Sequence, residues 1–177
     1  MKISGALAAL LLLTATSAFS QGRDVTLFVG AQIPGNITLK SASTTATPLL
    51  TDPTNAGTFG LRVGHGKMWG GEHTLAFTSK FLDGKSKSFI YNSNFRLQAP
   101  LPVVRPYITA GAGTVWSWGG GVSDVGAKFA VNYGGGLKIM PAGPVGVRFD
   151  IRQYFLPKVQ SQTLKISEVS AGVVFGF

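Results

Sequence analysis

The sequence predicts an all-β fold: a closed antiparallel transmembrane β-barrel of about eight strands, joined as an up-and-down meander. Three observations carry that expectation. Apolar residues alternate with small or polar ones at a period of two, and the pattern recurs eight times. The connections alternate between short turns and longer, more polar loops. After residue 20 no apolar run is long enough to cross a membrane as a helix, so any crossing must be made of strands.

The chain begins with Met1 and Lys2, then an apolar stretch from Ala6 to Leu13, then small residues ending in Ala18-Phe19-Ser20. A charged start, an apolar core well short of the roughly 18–20 residues that span a bilayer, and a small-residue cleavage site make residues 1–20 an export signal peptide. Gln21 is the expected mature start, and residues 21–177 form one barrel domain. The sequence has no Cys, so no disulfide framework supports this domain although the exported compartment is oxidising. Closure of a sheet must supply that order. With 24 Gly and only 13% charged residues, the composition is poor in charge for a soluble domain and calls for turns, tight packing and apolar exposure.

In chain order, Val25, Leu27, Val29 and Ala31 alternate with Thr26, Phe28 and Gly30, and Phe59, Leu61 and Val63 with Gly60, Arg62 and Gly64. Leu75 and Phe77 oppose Glu72, Thr74 and Ala76, more weakly. Phe89, Tyr91, Phe95 and Leu97 oppose Ser88, Ile90, Asn92, Asn94 and Arg96, with Ser93 a polar exception on the apolar side. Ile108, Ala110, Ala112 and Trp116 oppose Tyr107, Thr109, Gly111 and Gly113. Phe129, Val131, Tyr133, Leu137 and Ile139 oppose Ala130, Asn132, Gly134, Gly136 and Lys138. Val145, Val147, Phe149 and Ile151 oppose Gly146, Arg148, Asp150, Arg152 and Tyr154. The last strand sets Val169, Ala171, Val173, Phe175 and Phe177 against Glu168, Ser170, Gly172, Val174 and Gly176. The expected short turns are 65–71, 98–104 and 140–144; the expected longer loops are 32–57, 80–87, 117–128 and 157–163. That asymmetry puts both termini on the short-turn, periplasmic side of a membrane barrel.

A soluble barrel would alternate in the same way, with its apolar face inward. The polar face here is crowded with glycines, which suits the narrow interior of an eight-stranded barrel and serves no purpose on a water-facing surface. Arg62, Glu72, Arg96, Lys138, Arg148, Asp150, Arg152 and Glu168 share that face and are expected to form a charge network across the lumen, since buried charges must be paired. Arg148, Asp150 and Arg152 form its expected centre, with Glu168 on the next strand as their partner. The Phe-, Val-, Ile- and Leu-rich face would then meet lipid, with Trp69, Trp116, Trp118, Phe155 and Phe177 at strand ends where aromatic girdles belong.

The segments 105–113 and 145–152 resemble strands of the small bacterial outer-membrane β-barrel family, the opacity-protein and OmpX-like group, and the resemblance extends over 21–177. The run from Val169 to Phe177 is similar to the carboxy-terminal recognition signal of such barrels. The resemblance implies a bacterial outer-membrane location, outer-membrane lipid as surroundings, and an insertion machinery that reads Phe175 and Phe177.

Catalytic and cofactor signals are weak. His65 and His73, eight residues apart, fit no helical metal motif and have no Cys partner, so no metal or cofactor site is expected. The His-x-Ser-Asn pattern of the outer-membrane lipid A deacylases is missing, with His73, Thr74 and Glu72 the nearest approach to it. Gly119-Gly120-Gly121 lacks the Lys and helix of a phosphate loop and reads as an external loop.

The formal net charge of +9, or +8 without Lys2, does not point to nucleic acid, because Lys40, Lys80, Lys85, Lys87, Lys128, Lys158 and Lys165 gather at the expected external rim. Such a rim faces the phosphates of lipopolysaccharide, although a merely solvated rim would read the same way. The expected role is a monomeric, non-enzymatic barrel with a side-chain-filled lumen, meeting an unidentified surface partner through loops 32–57 and 117–128. A narrow porin-like channel is the alternative, and a lipid-modifying enzyme a third class.

Overall fold

The computed structural model describes residues 22–35, 55–81, 86–119, 126–159 and 162–177. The expected signal peptide, Lys40, Lys85, most of loop 32–57 and the middle of loop 117–128 lie outside the described residues. Eight strands follow one another: β1 (Asp24–Pro34), β2 (Ala56–His65), β3 (Trp69–Phe81), β4 (Ser86–Gln98), β5 (Val104–Trp118), β6 (Gly126–Ala142), β7 (Val145–Val159) and β8 (Gln162–Gly176). Each pairs antiparallel with its sequence neighbours, and β1 closes on β8. The barrel is the predicted eight-stranded meander.

The register fixes the shape. Partners followed from Asp24 through Gly64, Glu72, Asn94, Gly111, Asn132, Tyr154 and Ile166 lead back to β1 at Pro34, ten residues further along. For strands ~4.8 Å apart rising ~3.3 Å per residue, that stagger tilts them about 40° from the barrel axis, within the usual range for closed sheets. Eight strands at that tilt enclose a space that side chains alone can fill.

One end of the barrel carries the tight connections. These are residues 66–68, 99–103, and Gly143 with Pro144, where a φ of 73° at Gly143 suits glycine. At the other end β7 and β8 run on to Val159 and Gln162, so this connection is shorter than the expected 157–163 loop.

The alternation sorts side chains as anticipated for a membrane wall. Leu27, Val29, Phe59, Phe95, Ile108, Phe129, Tyr133, Phe149, Ile151 and Val169 all stand exposed on the outside. The glycines of the inner face lie beside its largest groups: Gly136 is flanked by Tyr107 and Asp150, and Phe28 by Gly60 and Gly172. A Cβ at Gly136 would run into the Phe149 carbonyl and the Tyr107 hydroxyl. Large and small residues thus interlock across the lumen.

The interior is not polar throughout. Ile90, Val115, Ala130, Tyr154, Leu156, Leu164 and Ile166, with Phe28 and Ala76, form a buried apolar cluster. Most of its members belong to the halves of β4, β5, β7 and β8 nearer the long-loop end. Alternation alone did not mark Leu156, Leu164 and Ile166 as lumen residues, because the sequence reading ended the seventh strand early and began the eighth late. The lumen is therefore two-layered, with charges toward the short-turn end and an apolar layer beyond them.

Candidate functional site

The chemistry of this chain is concentrated in the charged layer. Strand β7 contributes Arg148, Asp150 and Arg152, which share a face because side chains two apart on a strand point the same way. Asp150 accepts from Arg148 Nε at 2.9 Å, Arg148 Nη2 at 2.9 Å, Arg152 Nη2 at 3.1 Å and Arg62 Nη1 at 3.0 Å, and also from the Tyr107 hydroxyl. Glu72, on β3 across the lumen, pairs with Arg152, with Arg148 Nη1 at 2.7 Å and with Arg96 Nη1 at 3.6 Å. Arg62 of β2 donates from Nη2 to Glu168 Oε1 at 2.6 Å and to Ser170 Oγ at 3.1 Å, and its guanidinium lies 3.7 Å from the centre of the Phe28 ring. A guanidinium satisfied on its edge by carboxylates and on its face by an aromatic ring uses both of its binding modes.

Nearer the mouth, Asp24 is shared by Lys138 Nζ at 2.7 Å, Arg96 Nη1 at 2.8 Å and Arg148 Nη1 at 3.9 Å. All eight residues expected to line the lumen are buried there. Their pairing differs from the expected one. Arg152 and Glu168 are register partners, yet Arg152 reaches across to Glu72 and Thr74 while Glu168 takes Arg62, Gln32 and Tyr154. Adjacent strands offer proximity, but the long arginine side chains span the narrow lumen and so choose partners by depth. Sequence reasoning missed Asp24 and Gln32, and put Tyr107 and Tyr154 on the inner face without a part in the network. Asp24 lies one alternation step before Thr26, so the same parity argument carried one step further would have found it.

Outside the lumen, His73 stands on the exterior with Nδ1 3.1 Å from the Tyr91 hydroxyl, and its ring is 6.5 Å from that of His65. Glu72, the next residue, faces the opposite side of the sheet and is consumed by three arginines. Among the described residues no group of His, Cys, Asp and Glu could hold a metal ion. Of the expected basic rim, Lys80, Lys87 and Lys165 are exposed, with the Lys165 ammonium 5.9 Å from the centre of the Phe155 ring. Lys128 is half-buried on the inner side of β6, and the Lys158 side chain lies outside the described residues.

A closed eight-stranded wall, apolar outside and charged inside, is what a lipid bilayer requires of a sheet: no unpaired edge and no polar band toward the hydrocarbon. A family model described as the outer membrane protein beta-barrel domain matches residues 6–177. The chain belongs to this family. It is thus a bacterial outer-membrane β-barrel, as the strand pattern led us to expect.

Solved outer-membrane barrels share the fold. Neisserial surface protein A (NspA) superposes with a TM-score of 0.66 at 15% identity, covering 88% of this chain and 97% of that one. OprG from Pseudomonas aeruginosa gives 0.58 at 11% identity, with 89% and 96% covered. The outer membrane enzyme PagL gives 0.51 at 16%, with 87% and 99% covered. Among curated protein sequences nothing matches this barrel.

Proposed function

We propose that this outer-membrane barrel is a non-enzymatic surface protein with a sealed lumen, acting through the end that carries its longer loops, chiefly 32–57 and 117–128. The observation that carries the reading is the two-layered interior: a charge network whose four carboxylates are all ion-paired, backed by a layer of Ile, Val, Leu and Tyr. A solute would have to strip both. The lone enzyme candidate weakens on geometry, because His73 and Glu72 lie on opposite sides of the wall. A lipid A mass profile unchanged by the protein is the expected result, and a lost acyl chain would favour the enzyme.

Planar-bilayer conductance tests the seal. The wild-type barrel is expected to carry no steady current, and so is Asp150→Ala/Arg152→Ala, whose apolar layer is intact. Adding Leu156→Ala and Leu164→Ala is expected to open a path. Steady wild-type conductance would replace this reading with the narrow channel.

The same reading has residues 1–20 removed on export, both termini in the periplasm, and the exposed Lys80, Lys87 and Lys165 near lipopolysaccharide phosphates. Phe175 near the end of β8 and Phe177 just beyond it act as the signal for insertion. Phe177→Ser is expected to lower the amount of inserted barrel several-fold and to leave degraded periplasmic protein, read by fractionation and by the mobility shift between unheated and heated samples. Lys40→Ser should change neither; equal insertion of both variants would make the aromatic end incidental.

A further inference from the structure

We propose that the short-turn mouth of the lumen binds a phosphate group, held by Lys67, Arg105 and Lys138. The argument begins with a charge imbalance. Among the described residues, five cations, Arg62, Arg96, Lys138, Arg148 and Arg152, are buried in the lumen with only four carboxylates, Asp24, Glu72, Asp150 and Glu168. An uncompensated buried charge is costly, and a bound anion is the simplest way to balance it.

The position of the surplus is visible in the pairing. Among the described residues Lys138 has Asp24 as its one carboxylate and shares it with Arg96 and, more distantly, Arg148, whereas Arg96 and Arg148 also reach Glu72. Lys138 and Asp24 line a cavity of about 450 Å³ at this mouth, and Lys67, Gln98, Arg105 and Met140 line it with them. That volume lies in the range of small-molecule sites and exceeds a lone phosphate, leaving room for the group that carries it.

The other cations of the cavity add to the surplus. The Arg105 guanidinium is oriented by the carbonyls of Leu101 at 3.0 Å and Pro102 at 3.4 Å and by Met140 Sδ at 3.6 Å, and no carboxylate side chain among the described residues pairs with it. Lys67 makes no ion pair among the described residues. Among the described residues Asp24 supplies the one carboxylate side chain of the cavity lining, and Phe177, whose terminal carboxylate ends the sequence, lies at its edge with Arg23. Gln98 is a second, independent sign: it is buried, it lines the cavity, and its Oε1 has no hydrogen-bond partner among the described residues. Buried polar atoms are ordinarily satisfied. A hydrogen phosphate offers anionic oxygens to the fork of Arg105 and the ammonium groups of Lys67 and Lys138, and an O–H to Gln98.

The experiment is calorimetric titration of the folded barrel, in an uncharged maltoside detergent at constant pH and ionic strength, with inorganic phosphate. The wild type is expected to bind one equivalent saturably. Lys67→Ala/Arg105→Ala, whose folding is verified by its heat-dependent mobility, is expected to bind at least tenfold more weakly, while Lys80→Ala/Lys87→Ala at the opposite mouth stays within twofold of the wild type.

Absence of saturable binding would overturn the site. So would equal weakening in both double variants, which would mean a diffuse attraction by net charge. The source of the phosphate is separated by repeating the titration in nanodiscs. Binding lost in phosphatidylglycerol but kept in phosphatidylcholine assigns the site to a lipid headgroup; binding kept in both, and by glycerol phosphate in solution, assigns it to a free phosphomonoester.

Discussion

Glu72→Ala is expected to destabilise the folded barrel by about 3–5 kcal/mol, the cost of leaving buried cations without their counter-charge. Glu72 is fully buried and pairs with Arg148, Arg152 and Arg96 at once. Its loss takes a counter-charge from three guanidinium groups at once, leaving Arg148 and Arg152 to share Asp150 with Arg62 and Arg96 to share Asp24 with Lys138. Glu168→Ala should cost less, because Arg62 keeps Asp150 at 3.0 Å. Urea unfolding in detergent micelles, followed by tryptophan fluorescence, measures both. A loss below about 1 kcal/mol for Glu72→Ala, the scale of an exposed pair, would mean that the charged layer is hydrated and its pairs are screened.

The second large effect concerns the outer wall. Ile151 lies near the middle of β7 and is 66% exposed, while Val145 begins the same strand at the short-turn end. In a bilayer, Ile151→Arg is expected to cost about 2–4 kcal/mol and Val145→Arg about 0–1 kcal/mol, because a cation near the midplane must leave water whereas one at the interface does not. Refolding into lipid vesicles under urea gives both values. A small and equal cost at the two positions would mean that this face does not meet hydrocarbon.

The sequence made strand number, order and closure legible because period-two alternation and turn chemistry are local signals. Val145 to Tyr154 alternate without interruption, and the structure keeps every one of those residues on the side that its parity gives. Depth within the lumen was not legible. Parity says that Arg152 points inward; which carboxylate it meets depends on the ten-residue stagger and on side-chain reach, and neither can be read from one strand. The apolar layer was missed for a related reason. Leu156 and Leu164 are inward residues at strand ends, where the written alternation had already given way to an expected loop, although β7 and β8 run on as a two-stranded ribbon. Asp24 was missed at the opposite kind of boundary, where a strand begins with a charge.

Four ion pairs of the lumen join positions far apart in the chain: Arg152 with Glu72 across 80 residues, Arg62 with Asp150 across 88, Arg62 with Glu168 across 106 and Lys138 with Asp24 across 114. None can form inside a single hairpin, and the β1–β8 seam must be near completion before Asp24 faces Lys138. Interactions of this kind arrive late on the folding route and add little to its speed, but they must be broken early on the way out. The network therefore acts chiefly as a latch on the finished barrel. It lengthens the lifetime of the inserted barrel.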